Sequence, residues 1–108
     1  MTPVELAQGQ LEAYNSRDLD SFCRYFATDI VLVDGHNDQI ILSGMTAFRE
    51  KYTQTFSNTD LHCHLVSRMQ LDNIVIDRES VEGFGAERVE AIAIYHTIDN
   101  TISKVVFY

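Results

Sequence analysis

The spacing of apolar residues divides the chain into a helical first part and a β-rich second part. In the first 26 residues it follows a helical period, with one stripe at Val4, Ala7, Leu11 and Tyr14 and another at Leu19, Phe22, Cys23 and Phe26. Thr2 followed by Glu5 predicts a capping box at the start of the first helix, and Pro3 suits the first helical position. Asp18 is placed to cap the second helix.

β-branched residues replace the helical period after residue 29. The segments IVLV (30–33) and QIIL (39–42) are predicted to be strands joined by the turn DGHND. A third helix is predicted after SG, with its apolar side formed by Met45, Phe48, Tyr52 and Phe56. From residue 60 onward, four long strands are predicted, separated by turns near 72–73, 82–87 and 99–100.

This order predicts a single α+β domain over residues 1–108, with a strongly curved antiparallel sheet that carries its helices on one face. The late strands carry apolar residues on both faces, for example Ala91 and Ala93 on one face and Ile92 and Ile94 on the other. A sheet with one solvated face would alternate more cleanly. We therefore expect the convex face of the sheet to pair with a second copy of the chain in a homodimer.

Composition limits the classes of function. A formal net charge of −8, with only eight Lys and Arg residues, argues against nucleic acid and against anionic membrane surfaces as partners. The start MTPVELAQGQ lacks the basic and apolar regions of a signal peptide, and no apolar run approaches ~18 residues, so we expect a soluble, cytoplasmic protein. Cys23 and Cys63 lack CxxC spacing and are expected to be buried, reduced thiols.

Three segments together resemble a known family. They are YNSRDLDSFCRYFATDIVLVD, LSGMTAFREKY and AIAIYHTIDNTISKVVFY. In this order and spacing they are similar to the NTF2-like superfamily, specifically its ketosteroid isomerase and SnoaL-like branch, over essentially the whole chain. The resemblance implies an NTF2-like cone, in which a curved antiparallel sheet wraps around the N-terminal helices and leaves a conical apolar cavity open at one end. It also implies pairing through the convex sheet face.

The resemblance further implies a set of site residues. Isomerases of this family move a proton with a carboxylate base, while a Tyr hydroxyl and a protonated carboxylic acid hold the developing oxyanion. The base position matches Asp34, the Tyr position reads Gln10, and the acid position reads Tyr95. Tyr95 can still donate a hydrogen bond, and Tyr14, one helical turn after Gln10, offers a second hydroxyl.

The expected site is therefore a cavity with Asp34, Tyr95 and Tyr14 as catalytic residues. The residues expected to bind the ligand there are Gln10, Phe26, His36, Phe48 and Tyr52. Strict alternation along the first strand would point Asp34 into the cavity. The alternative is that Asp34 is an Asx-turn residue ahead of Gly35, and that His36 is a solvated loop residue.

Two other patterns could carry chemistry. HCH at 62–64 places two histidines on one strand face, but zinc sites take three or four protein ligands, so we expect no metal and no cofactor. The triplet DRE at 77–79 fits a charged edge better than an acid–base pair.

Two functions fit this sequence. The first is an enzyme of the isomerase or polyketide cyclase type, which would transfer a proton next to a carbonyl of a small apolar or polycyclic ligand. The second is a non-catalytic ligand-binding or interaction module that keeps the cavity. The departures from the family's pattern at Gln10 and Tyr95 favour the second function.

Overall fold

The computed structural model describes residues 1–108 and confirms the predicted order of helices and strands. The helices are α1 (Pro3–Ser16), α2 (Leu19–Arg24) and α3 (Met45–Thr55). The strands are β1 (Phe26–Asp34), β2 (Gln39–Ser43), β3 (His62–Leu71), β4 (Ile74–Glu82), β5 (Val89–Ile98) and β6 (Thr101–Phe107). None of the helices has the length and apolar character needed to span a membrane.

The helices begin where the local signals predict. The Thr2 hydroxyl accepts a hydrogen bond from the Glu5 N–H at 3.1 Å, and the Glu5 carboxylate accepts one from the Thr2 N–H at 2.8 Å, which confirms the capping box. Asp18 caps α2 by accepting from the Ser21 N–H at 3.2 Å. These caps fix where α1 and α2 start, and so fix which of their side chains reach the sheet.

The six strands form one sheet in the order β2-β1-β6-β5-β4-β3. Its pairings are antiparallel except that of β1 with β6, which is parallel, so the sheet is not antiparallel throughout as the sequence analysis predicted. Connectivity explains the difference. After the β1–β2 hairpin, α3 leads to the far edge of the sheet, and the meander from β3 returns to β1 with its last strand running in the same direction.

The helices pack against one face of the sheet, which we call the inner face. Phe22 of α2 lies at the centre of the core with 2% of its surface exposed. Its ring stacks on that of Phe48 from α3, with 5.6 Å between centroids, and lies 4.8 Å from the rings of Phe26 and Tyr52. Aromatic side chains therefore fill much of the space between the helices and the sheet.

The opposite, outer face carries one apolar row. The strand register places its members side by side across all six strands, in the order Ile40, Val33, Val106, Ile94, Ile76 and Met69. We call this set the outer row. Met69 is 63% exposed and Ile40 65%, while the four residues between them are partly buried. The apolar character of both sheet faces is therefore present as predicted, and the homodimer remains a prediction.

Candidate functional site

A cavity of about 220 Å³ lies between the inner face of the sheet and the helices. It is lined by Gln10, Leu11, Tyr14, Phe22, Phe26, Tyr52, Cys63, Glu79, Val81, Phe84, Val89, Ala91, Tyr95, Val105 and Phe107. Thirteen of these fifteen residues are hydrophobic, and the two others are Gln10 and Glu79. The cavity is thus apolar with a single carboxyl group.

Strand β4 presents two carboxyl groups to the inner face. Val75, Asp77, Glu79 and Val81 alternate along the strand and are each no more than 9% exposed, whereas Arg78 between them is exposed. The prediction that the triplet at 77–79 is a charged edge is therefore wrong for Asp77 and Glu79. The two-residue period of a strand puts them on the same face as the valines that flank them.

Gln10, Tyr95 and Glu79 form a hydrogen-bond chain at the cavity wall. Gln10 Nε2 donates to the Ala7 carbonyl and to the Tyr95 hydroxyl oxygen, each at 3.0 Å. Because the Ala7 carbonyl can only accept, the Gln10 amide has a fixed orientation and Tyr95 must accept from it. The Tyr95 hydrogen is then available to Glu79, whose Oε2 lies 3.5 Å away in a long hydrogen bond. In this geometry Tyr95 donates to Glu79.

The cavity shifts the titration of its acidic groups. Burial, followed by the nearby charge of Asp77, raises the pKa of Glu79 from 4.5 to about 7. Burial also raises the pKa of Tyr14 and that of Tyr52. Both phenols therefore stay protonated near neutral pH and remain hydrogen-bond donors, while the Glu79 carboxyl can gain or lose a proton there.

Asp77, unlike Glu79, has a cation of its own. Arg68 Nε and Nη2 donate to the two Asp77 carboxylate oxygens at 2.7 and 2.9 Å, and Arg68 Nη1 donates to Gln8 Oε1 at 3.0 Å. The Asp77 side chain is 0% exposed and that of Arg68 15%. Since this guanidinium is held by a two-pronged pair with Asp77, Glu79 is left without a salt bridge.

Five of the eight predicted site residues line the cavity. Phe48, Asp34 and His36 do not. Those that line it are Gln10, Tyr14, Phe26, Tyr52 and Tyr95. Phe48 is fully buried behind the cavity wall, where its ring packs on Phe22. It supports the lining instead of forming part of it, because its ring packs on the lining residues Phe22, Phe26 and Tyr52.

Asp34 lies outside the cavity, so the prediction that it points inward is wrong. Its Oδ1 accepts a hydrogen bond from the His36 N–H at 2.9 Å, which is the Asx-turn arrangement of the alternative interpretation. Ile30 and Leu32 are fully buried as alternation predicts, but Asp34 is the last residue of β1 and its carboxylate reaches only the hairpin turn. His36 is exposed in the same turn, with its ring 5.4 Å from that of Tyr108, and does not line the cavity.

Sequence reasoning missed two chemical groups of the cavity, the Glu79 carboxyl and the Cys63 thiol. Cys63 is a free, buried thiol as predicted, but it lines the cavity, and burial raises its pKa, so it stays protonated. The sequence gives no clear signal for Glu79, because IVIDRESV has two apolar residues on each alternation and so does not show which face of the strand is buried.

The loop between β4 and β5 places an aromatic side chain at the open side of the cavity. Phe84 is 57% exposed and also lines the cavity. The preceding Gly83 has φ 114°, and a Cβ at this position would lie 2.8 Å from Leu61 Cα, so the loop needs glycine there. The Asn58 side-chain amide donates to the Gly83 carbonyl at 2.9 Å, which anchors the loop beneath Phe84.

The histidines of the HCH segment lie on β3, away from the cavity lining. The ring centroids of His62 and His64 are 4.5 Å apart, and His64 Nε2 lies 2.8 Å from the Glu82 carboxylate. No group of three or more His, Cys, Asp or Glu side chains is arranged to hold a metal ion.

Comparisons with known proteins agree with this fold. A family model described as SnoaL-like domain matches residues 7–105. An uncharacterized cystatin-fold protein from Novosphingobium aromaticivorans shares 22% identity over 100% of this chain and 98% of its own, with a TM-score of 0.91. A Sinorhizobium meliloti protein called a polyketide cyclase shares 16% identity over 96% of this chain and 94% of its own, with a TM-score of 0.83.

A third solved structure adds a ligand. It is a protein with a ketosteroid isomerase-like fold from Catenulispora acidiphila in complex with trimethylamine, 17% identical over 100% of this chain and 86% of its own, with a TM-score of 0.77. A search of curated proteins found no match. Identities this low show a shared fold and leave the activity to be argued from the cavity.

Proposed function

Since this chain belongs to the SnoaL-like domain family, we propose that its cavity binds a small, largely apolar molecule and that Glu79 binds the polar group of that molecule. The observation that carries the proposal is the lining, where one carboxyl stands among hydrophobic side chains. An apolar cavity with a few converging polar groups and a titratable group of shifted pKa is the usual form of a ligand site.

The cavity volume limits the size of the ligand. At about 220 Å³ it is smaller than the roughly 300–1,000 Å³ typical of pockets for drug-sized ligands. We therefore narrow the polycyclic ligand expected from the sequence to a molecule of one or two rings. The Catenulispora acidiphila protein is in complex with trimethylamine, a molecule far smaller than a steroid, which supports a small ligand for this chain.

Ligand binding is tested by filling the cavity. We expect wild-type protein to bind benzyl alcohol, with NMR shift changes concentrated at residues of the cavity lining. Ala91→Phe places a ring in the lining and should abolish these changes, whereas Ala86→Phe, in the exposed loop, should keep them. Binding that survives Ala91→Phe, or shift changes outside the lining, would contradict the assignment of the cavity.

A second candidate function is proton transfer next to a carbonyl, with Glu79 in the role that the sequence assigned to Asp34. A carboxyl that titrates near neutral pH is a better base for a weak carbon acid than an ordinary carboxylate, and a substantial fraction of it is ionised at that pH. The protonated hydroxyls of Tyr14 and Tyr52 in the lining are suited to donate to a developing oxyanion. The polyketide cyclase name of the Sinorhizobium meliloti protein supports an enzyme of this kind.

Hydrogen exchange separates catalysis from binding alone. If Glu79 is a base, the protein should accelerate exchange of the α-hydrogens of cyclohexanone in D₂O, and Glu79→Gln should slow the catalysed exchange by a factor of about 100 or more. Glu90→Gln, an exposed change of the same chemistry on β5, is the control. If wild-type protein exchanges the ketone no faster than buffer does, the non-catalytic binding module is the correct function.

The homodimer is proposed to form through the outer row. A continuous apolar row that crosses all six strands would be covered by the same row of a second copy. We expect a dimer by sedimentation at micromolar concentration, and Ile94→Glu, at the middle of the row, should give a folded monomer. Thr53→Glu, on the exposed side of α3, should leave the dimer intact. A wild-type protein that sediments as a monomer would end this proposal.

A further inference from the structure

Glu79 is a buried carboxyl without a cationic partner, and we propose that the ligand supplies the cation. The cavity is suited to a small amine, with a protonated nitrogen beside Glu79 and one apolar ring against the aromatic lining. This inference rests on the proposed function, because it assumes that the cavity binds its ligand at Glu79.

One oxygen of the carboxyl accepts no O–H or N–H hydrogen bond from the protein, and the Cys63 thiol is a weak donor to the same group. Glu79 is only 7% exposed, and among O–H and N–H donors only Tyr95 bonds to it, at Oε2. No fully buried side-chain oxygen or nitrogen lacks a hydrogen-bond partner in this protein. Oε1 must therefore be accessible, and since Glu79 lines the cavity, the cavity is where a ligand donor can reach it.

The protein offers no cation to neutralise this carboxyl. The lining contains no Lys, Arg or His side chain. Arg68, whose charge lowers the pKa of Glu79 only as the smallest of the contributions, is held by Asp77 through two hydrogen bonds. Buried carboxylates are normally paired with a cation, so a site that lacks one is complementary to a ligand that brings one.

The rest of the cavity also favours a cation over other ligands. Seven of the fifteen lining residues are aromatic, and ring faces attract ammonium groups. The net charge of −8 draws cations towards the protein and disfavours carboxylates and phosphates. A neutral ligand of the same shape would still be held by the apolar walls and could donate a hydrogen bond to Glu79, but it would bring no positive charge to balance the ionised carboxyl.

An ion pair between the ligand's ammonium group and Glu79 would make the affinity for the amine depend on pH. An ammonium group binds the ionised form of Glu79, so binding should strengthen as the pH rises through the Glu79 pKa of about 7. Asp77 lies beside this carboxyl on the same strand. The titratable or charged groups that face it from other elements are Cys63 and Arg68 on β3, Tyr95 on β5, Tyr14 on α1 and Tyr52 on α3. Of these, Cys63 and Tyr95 have raised pKa values and stay protonated through this range.

The test compares benzylamine with benzyl alcohol, which have nearly the same shape. Calorimetric titration at about pH 8 should show benzylamine binding at least about tenfold more tightly, as expected for a hydrogen bond between charged groups. The difference should shrink towards about pH 5, where Glu79 is protonated. Glu79→Gln should remove the preference for the amine, so that the two compounds bind with about the same affinity, while Glu90→Gln should keep the preference.

The outcomes separate this inference from the proposed function. Equal or tighter binding of benzyl alcohol at about pH 8, or an amine preference that survives Glu79→Gln, would overturn the amine assignment and leave the ligand-binding cavity standing. Binding of neither compound would overturn both proposals.

Discussion

Replacing Arg68 with Met is expected to lower the free energy of unfolding by about 3–5 kcal/mol. The substitution leaves the fully buried Asp77 carboxylate without the two hydrogen bonds that it accepts from the guanidinium. Removing one partner of a buried ion pair is more damaging than removing both, because the remaining charge stays in an apolar environment. Urea unfolding followed by circular dichroism measures the loss.

Two further variants isolate the cause of this loss. Arg49→Met removes an exposed ion pair with Asp20, whose side chains are 45% and 74% exposed, and should lose less than about 1 kcal/mol. The double variant Arg68→Met/Asp77→Leu should regain most of the stability that Arg68→Met loses, since it removes the unpaired charge as well. If Arg68→Met is no less stable than Arg49→Met, the Asp77 carboxylate is not buried as described.

Wild-type protein is expected to lose stability as the pH rises from about 4.5 to about 7 because of Glu79. In that range the folded protein holds the Glu79 proton while the unfolded chain releases it, so stability falls with pH and the full loss is present above the folded pKa. A rise from 4.5 to about 7 corresponds to roughly 3 kcal/mol. Glu79→Gln, which is never charged, should therefore be more stable than wild type at about pH 8 and equal to it near pH 4.

The difference between the two proteins is the quantity to measure, because other groups titrate in both. Urea unfolding of wild type and Glu79→Gln at a series of pH values gives that difference directly. Glu90→Gln should show no such divergence, because Glu90 is exposed on the outside of β5. A constant difference between wild type and Glu79→Gln across the range would mean that Glu79 is solvated in the folded state.

The helices and strands were predictable because local signals and tertiary packing agree. Thr2 and Asp18 cap helices in the structure as their positions in the sequence indicate. Alternation along IVLV predicts that Ile30 and Leu32 share the buried face of β1, and both side chains are fully buried in the structure. The parallel pairing of β1 with β6 was missed, because no local pattern states which distant strand becomes a neighbour.

The candidate site was only partly predictable, for two physical reasons. Alternation assigns Asp34 to the inner face but does not decide whether the carboxylate at the end of the strand enters the cavity or bonds to the turn backbone, as it does in the structure. The triplet at 77–79 resembles a charged edge in the sequence, and carboxyl groups are rarely buried without partners. The ion pair of Asp77 with Arg68 and the contact of Glu79 with Tyr95 depend on neighbouring strands, which the sequence does not place.

The titration of Glu79 itself is the strictest test of whether this carboxyl is buried in an apolar cavity. In protein labelled with carbon-13 at the glutamate side-chain carboxyl, the Glu79 resonance is assigned by its absence in Glu79→Gln and followed by NMR against pH. We expect a midpoint near 7. A midpoint near the ordinary value of 4.5 would contradict it.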